Sequence, residues 1–289
     1  MVIPEDQILN TQPKPCGTGR LFLSIGGISC AIISHDADFL DLLRSRYQWF
    51  ETSGPGSYEI LVRLVSPVEL KFEDIEKNSP PVIRRANGGD NYIMKRADNP
   101  FIAVVNTSSR KVLVKMWHSE YCFDSFFRIL FTLVLATEGG LMLHASAISE
   151  GERGKVFFGP SGSGKTTVAG LAAGRTILTD ELVIIKPQDG RYWAYGTPFW
   201  GEFTPGRSNT RAELTGLYSL KKDGKSSLMP MDRARAVAEL YQCVLFFSDD
   251  SNLLSRVLDT CCKLVEAVPV GELHFLPDPS FWQVIGGQS

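Results

Sequence analysis

Histidine is scarce in this sequence, with four in 289 residues, and none of the six cysteines forms a C-x-x-C pair. Little is left from which to build a Cys/His zinc site. The cysteines (Cys16, Cys30, Cys122, Cys243 and the adjacent Cys261 and Cys262) read as buried free thiols in a reducing compartment. Basic runs are missing too. Lys and Arg number 30 against 32 Asp and Glu, a net charge of -2, and Arg84-Arg85 and Lys221-Lys222 are doublets only. Nothing there would track a nucleic-acid backbone, so no nucleic-acid partner is expected. The longest apolar stretch, residues 123–136, is broken by Asp124, Ser125 and Arg128. It is too short and too polar for a bilayer, reads as a core helix, and implies no membrane partner. The opening Met1-Val2-Ile3-Pro4-Glu5-Asp6 lacks the basic and apolar regions of a signal peptide, which points to the cytoplasm. There are no repeats and no low-complexity tracts. What remains, 44% hydrophobic and 21% charged residues, is the make-up of a folded globular chain of one large or two modest domains.

Hydrophobic periodicity divides the chain in two. Residues 21–25 and 28–33 flank Gly26-Gly27 as a hairpin, and residues 37–46 read as a short helix capped by Asp36. A strand follows at 58–65. Residues 66–90, rich in Pro, Gly and charge, read as irregular, and three strands come next at 92–95, 101–106 and 111–116. A long helix beginning at Ser119 or Asp124 stops at Gly139-Gly140. Residues 1–120 are thus expected to form a small, mostly β (α+β) module without catalytic features, and residues 121–289 a second domain. In that domain strands are read at 141–147, 155–158, 176–178, 182–185, 191–194, 216–220 and 270–275. Helices are read at 165–173, 232–241 and 252–267, with a short one at the end. Residues 196–213 read as irregular, and 243–247 fit neither pattern cleanly.

The second part carries the chemistry. Gly159-Pro160-Ser161-Gly162-Ser163-Gly164-Lys165-Thr166 matches G-x-x-x-x-G-K-[ST], with a strand before it and a helix after it. Glycines let consecutive backbone N–H groups turn toward phosphate oxygens where a β-carbon would obstruct them. Lys165 would carry a point charge to the β and γ phosphates, and Thr166 a hydroxyl to Mg2+. Thr167 reads as a further polar contact. The pattern predicts a nucleoside triphosphate, with ATP and Mg2+ as the cofactors. A carboxylate is needed opposite such a loop, and Asp180, at the end of the next short strand, supplies it. Glu181 follows directly, and both acids in one site would need Mg2+ or Lys165 to offset their repulsion. His144 interrupts an apolar strand; by periodicity alone it reads as a structural hydrogen-bonder.

Taken together, Leu143-His144-Ala145-Ser146-Ala147, the glycine-rich loop and Ile177-Leu178-Thr179-Asp180-Glu181-Leu182-Val183 resemble the catalytic domain of the HPr kinase/phosphorylase family over about residues 140–275. The resemblance implies an α/β fold: a P-loop kinase domain of the HPr kinase and PEP carboxykinase-like type. It implies a protein-serine kinase in which His144 supports the catalytic acid, Asp180 takes the proton of the substrate serine, and Glu181 stands where the family has its metal-associated aspartate. The family's Glu-Ile-Arg-Gly stretch has no clear counterpart. Glu202, in Trp200-Gly201-Glu202, is its nearest positional substitute and a candidate metal ligand, so phosphorylase activity is not expected. Arg207 and Arg211 are candidates for steadying the transferring phosphoryl group or gripping an acidic substrate.

The N-terminal module does not resemble that family's regulatory domain. The whole chain is more similar to kinase-like proteins encoded in cassettes for ribosomally made, modified peptides. That implies a peptide or small protein carrying a serine as partner; the family resemblance suggests assembly as a homo-oligomer. Two other readings stand beside it: an ATPase or small-molecule kinase on the same scaffold, and a non-catalytic nucleotide-binding accessory protein.

Overall fold

The structure, a computed structural model, describes residues 18–70, 72, 75–86, 89–199, 201–202 and 209–286. They fall into two units, one of Met1–Val134 with Phe247–Leu253, the other of Leu135–Phe246 with Leu254–Ser289. No helix among the described residues is long and apolar enough to cross a membrane.

The first unit is a seven-stranded mixed sheet in the order β1-β2-β3-β7-β6-β5-β4. Strands β1 (Gly19–Ile25) and β2 (Ile28–Ser34) pair through Ile25 and Ile28. The two-residue turn between them needs positive φ twice, which Gly26 (58°) and Gly27 (73°) supply. Helix α1 (Ala37–Tyr47) starts where the Asp36 carboxylate accepts the Phe39 N–H at 2.8 Å, and it crosses over to β3 (Tyr58–Leu64), parallel to β2. Strands β4 (Val82–Ala86), β5 (Asn91–Arg96), β6 (Phe101–Asn106) and β7 (Lys111–Met116) run antiparallel in succession, and β7 pairs in parallel with β3. β4 lies inside the stretch read as irregular; its five residues carry two arginines between Pro81 and a glycine pair, too short and charged for a strand pattern to register. One sheet face packs on α1 and on the long helix α2 (Glu120–Glu138), where Phe123 and Phe127 meet the Tyr47 ring edge-on at 5.8 and 5.7 Å. The charges that interrupt this apolar helix are paired: Asp124 accepts the Tyr47 hydroxyl (3.0 Å), Arg46 (3.1 Å) and Arg128 (2.8 Å).

Helix α2 ends as the two glycines predict. Gly139 takes φ 73°, and the Gly140 N–H returns to the Leu135 carbonyl at 2.9 Å. The second unit is an eight-stranded mixed sheet. Its central strand β8 (Leu141–Glu150) has β9 (Arg153–Phe158) on one side. On the other side lie β10 (Thr176–Thr179) and β11 (Leu182–Gln188) in turn. Next come β12 (Arg191–Tyr195), β13 (Arg211–Lys222), β14 (Ser227–Pro230) and β15 (Val270–Phe275), β13 lying parallel to both β9 and β15. β14 is an edge strand of four residues ending in Pro230 and carries no strand signature in the sequence. Helices α3 (Lys165–Gly170), α4 (Arg233–Tyr241), α5 (Ser251–Ala267) and α6 (Phe281–Gly286) complete the chain.

Four of the five described cysteines are buried and none is bridged; Cys262, read as buried, is exposed on α5. Cys16 lies outside the described residues.

Candidate functional site

β9 ends at Phe158, paired with Ser219 of β13, and residues 159–164 turn sharply from the strand into α3. Three glycines take positive φ: Gly159 (148°), Gly162 (77°) and Gly164 (107°). At two of them space is lacking as well. A β-carbon on Gly164 would lie 2.5 Å from the Phe275 ring, and one on Gly159 would lie 2.9 Å from Ser163 Oγ. The Ser163 N–H closes a turn on the Pro160 carbonyl at 3.1 Å. From the far side α3 is anchored by Trp282, whose indole N–H donates to the Leu171 carbonyl at 2.6 Å, with Arg175 over its ring at 4.1 Å.

Inside this turn the Lys165 side chain is 6% exposed, and its ammonium donates to the carbonyls of Gly159 (2.9 Å) and Pro160 (3.0 Å). Burial pulls its pKa below the ordinary lysine value. Ser163 Oγ is buried without a hydrogen-bond partner. A backbone turn with glycine at its three positive-φ positions, an orphaned hydroxyl and a buried ammonium satisfied only by carbonyls fit a phosphate chain, which would give the first two a partner and the third a charged one. Helix α3 has six residues, so few peptide dipoles add, and attraction for a phosphate would come mostly from the loop amides and Lys165. Thr166 is half-buried at the helix start, and Thr167 is exposed.

Asp180 stands across from the loop because of a register shift. β10 and β11 both pair with β8, but the ladder slips between Ile177 and Thr179 and resumes with Leu182 opposite His144, and such slips redirect side chains. The Asp180 carboxylate is 4% exposed and accepts the backbone N–H groups of Gly201 (2.9 Å) and Glu202 (2.7 Å). Ser146, fully buried on β8, donates its hydroxyl to the Lys165 carbonyl at 2.8 Å and lies 3.4 Å from the Asp180 carbonyl. One hydroxyl thus ties the backbone of the loop lysine to that of the acid. Glu181 is half-buried, and its carbonyl accepts the Ala145 N–H at 3.0 Å.

His144, next to Ala145, is exposed, and its backbone N–H donates to the Cys243 carbonyl at 2.8 Å. Partial burial, and then the charge of Lys165, hold its pKa below the ordinary histidine value, so at neutral pH the ring is uncharged. The Cys243 thiol is buried beside the Gly159 amide and Lys165; burial raises its pKa against the pull of both, keeping it a thiol.

The structure therefore brings together the loop, Lys165, His144 and Asp180, with Glu181 next in the chain. It does not bring Arg211 to them. Arg211 is the first residue of β13, whose other end reaches the loop, and its guanidinium lies 4.3 Å from the Trp193 ring, with Gln188 and Tyr195 as hydrogen-bond partners. Glu202 serves Asp180 through its backbone, its side chain being exposed, and Arg207 lies outside the described residues. Among the described residues no three His, Cys, Asp or Glu side chains converge on a metal position. A Mg2+ held by nucleotide phosphates, water and one or two protein oxygens needs no such cage. Sequence reasoning passed over Ser146, Gly201 and Cys243. Ser146 had left a signal, as a hydroxyl between two alanines in the middle of a largely apolar strand.

Among solved structures the chain is similar to one described as the Hpr(Ser) kinase/phosphatase from Coxiella burnetii, at 13% identity over 43% of this chain and 90% of that one, with a TM-score of 0.23. That score is too low to establish a common fold. Among curated proteins no match is found. The family model described as SynChlorMet cassette protein ScmC matches residues 106–287, more than half of the sequence, and the chain belongs to that family.

Proposed function

We propose that the protein is an ATP- and Mg2+-dependent phosphotransferase that moves the γ-phosphate to a serine hydroxyl of a peptide or small protein. The observation that carries this reading is the Ser146 hydroxyl of β8, which lies between the carbonyls of Lys165 and Asp180 and so supports a pairing of that cation, as phosphate binder, with that carboxylate, as hydroxyl orienter. In the reaction the loop amides of residues 159–164 and Lys165 grip the triphosphate. Asp180 receives the proton of the acceptor hydroxyl as its oxygen bonds to the γ-phosphorus, and the bond to the β-phosphate oxygen breaks to leave ADP. Two backbone amides fix the direction of the Asp180 carboxylate. Neutral His144 beside Lys165 adds no positive charge that would compete for the acid. Thr166 and Glu181 would hold Mg2+, which neutralises charge on the phosphates when bound. Membership of a cassette family supports an acceptor encoded with the protein.

A second reading, a nucleotide-binding accessory protein without transfer, is favoured by the low exposure of Asp180, both of whose oxygens already have amide partners. The two separate in one experiment: purified protein, γ-labelled ATP, Mg2+ and serine-containing peptides encoded beside its gene. Transfer of label, abolished in Asp180→Asn and Lys165→Ala, supports the phosphotransferase. Saturable ATP binding with no labelled peptide and no released phosphate supports the accessory protein.

A further inference from the structure

The Lys221-Lys222 doublet ends β13, and successive side chains of a strand leave it on opposite faces. Lys221 lies with Ser219 on the side of α4, where Ser219 donates to Glu239 at 2.5 Å and Lys221 pairs with the same carboxylate at 3.6 Å. Lys222 follows Leu220 to the other side, the face that carries α3. The register fixes that face. Ser146 of β8, Phe157 of β9 and Tyr218 of β13 are successive cross-strand partners, and Lys222 itself is opposite Phe275 of β15. Tyr218, Leu220 and Phe275 pack in one cluster with Val168, just after the start of α3.

This places Lys222 beside the phosphate loop. A β-carbon on Gly164 would meet the Phe275 ring, and one on Gly159 would lie 3.6 Å from the Leu220 carbonyl. A lysine stem extends about as far as a phenylalanine side chain and starts one strand spacing away, about 4.8 Å. The Lys222 ammonium can therefore stand level with the ring edge that touches the loop. Its charge is uncommitted: Lys222 is exposed and, among the described residues, has no hydrogen bond and no ion pair. Asp223, next in the chain, is turned to His274 at 2.8 Å, and its other oxygen accepts the Gly224 N–H at 2.6 Å.

The loop is thus bracketed along the strand ends. On the β8 side stand His144 and, where Leu182 opposes it, the junction that carries Asp180; on the β13 side stands Lys222. β8 and β13 flank β9, roughly 10 Å apart. A triphosphate whose last phosphate faces Asp180 has its first phosphate toward β13, where an ammonium would meet it in a charge-assisted bond. We propose that Lys222 is a second cation of the nucleotide site, meeting the α-phosphate at the end of the chain away from Asp180. This rests on the reading of the loop as a nucleotide site, and adds that part of the affinity comes from the nucleoside end and is shared by ATP and ADP.

The test is calorimetry on the full chain with Mg2+ and ATP or ADP, comparing the unaltered protein with Lys222→Met, Lys222→Arg and Lys225→Met. Lys225, exposed in the turn after β13, is the control for general surface charge. In Lys222→Met the Kd should rise about five- to ten-fold for ATP and ADP alike. Lys222→Arg should restore most of the affinity, Lys225→Met should change it little, and the thermal midpoint without nucleotide should not differ among them. Equal affinity of Lys222→Met and the unaltered protein overturns the proposal and leaves the phosphotransferase reading standing. So does an equal loss in Lys225→Met, which would be surface charge alone, or a loss confined to ATP, which would put the lysine at the γ-phosphate. A fall in midpoint without nucleotide, with affinity that Lys222→Arg does not repair, would make the role structural and overturn it too. If the unaltered protein, folded by its melting transition, bound neither nucleotide, the reading of the loop would fail and this inference with it.

Discussion

Lys165 is buried with its ammonium on two loop carbonyls, and that geometry separates its effect on nucleotide from its effect on the fold. Replacing it by methionine keeps the stem and removes the charge. A charge-assisted hydrogen bond contributes about 1.5–3 kcal/mol, so ATP affinity should fall by roughly 10- to 150-fold. The rise in thermal midpoint produced by saturating ATP should vanish, since that rise follows the logarithm of ligand over Kd. Calorimetry and thermal scans with and without ATP check both. An unchanged Kd would mean that Lys165 binds no phosphate. His144 gives a pH prediction with a definite sign. Its pKa is lowered by burial and by Lys165, so the folded state binds its proton less readily than the unfolded chain does. Its neutral form therefore supports the fold above the unfolded value of about 6.5, and that support is lost as pH falls through the lowered one. The loss of thermal stability on acidification below about pH 6.5 should accordingly be smaller in His144→Gln, read as the thermal midpoint against pH; a dependence that persists unchanged in this variant belongs to another group.

Between elements, the loop is held by what surrounds it. Gly164→Ala places a β-carbon against the Phe275 ring at φ 107°, two separate penalties. The backbone strain alone costs about 1–3 kcal/mol. Adding Phe275→Leu removes the ring contact and leaves the strain, so the double variant should recover only part of the loss, and a double-mutant cycle in urea should give a coupling of at least about 0.5 kcal/mol. Full additivity would show that the ring does not press on the loop. The same level explains what the sequence disclosed. Strands β6 and β7 form with the bounds read from the chain, because aliphatic runs end at tight turns of Asn and Ser. The punctuation at Gly26-Gly27 and at Gly139 was equally legible, since a positive φ leaves few residues to choose from. β4 and β14 were not, being short segments rich in charge or bounded by proline. At the candidate site the loop, His144 and Asp180 carry their chemistry in local spelling. The role of Ser146 depends on which carbonyls a register shift brings to it, and the position of Arg211 on which end of a strand reaches the loop. Neither is written in neighbouring residues.

At the scale of the whole chain, the order of residues and the order of units differ. The backbone passes between the units three times, at residues 134/135, 246/247 and 253/254, because Phe247–Leu253 returns to the first unit after most of the second is complete. This short return is firmly bonded. Ser248 pairs in parallel with Ile83 of β4 and donates its hydroxyl to the Ile83 carbonyl at 3.1 Å. Asp250 accepts Arg85 Nε at 2.7 Å, while its Oδ1 takes the N–H groups of Asn252 and Leu253 at 3.0 Å each, capping the start of α5. Arg85 in turn donates to the Tyr92 hydroxyl at 2.8 Å, carrying the tie to β5. Asp250→Ala removes the cap, at a cost of about 1 kcal/mol, and leaves the Arg85 guanidinium without its carboxylate. The loss should be local in an informative way. Amides of β4 and β5 should exchange with deuterium faster in Asp250→Ala, while those of β8 and β9, which touch none of these groups, keep their protection. A fragment ending at residue 134 lacks the whole return and should expose β4 and β5 in the same way, with added dye binding to apolar surface. If β4 and β5 exchanged at the same rate in all three proteins, the return would not be what holds that edge of the sheet, and the first unit would fold from its own first 134 residues alone.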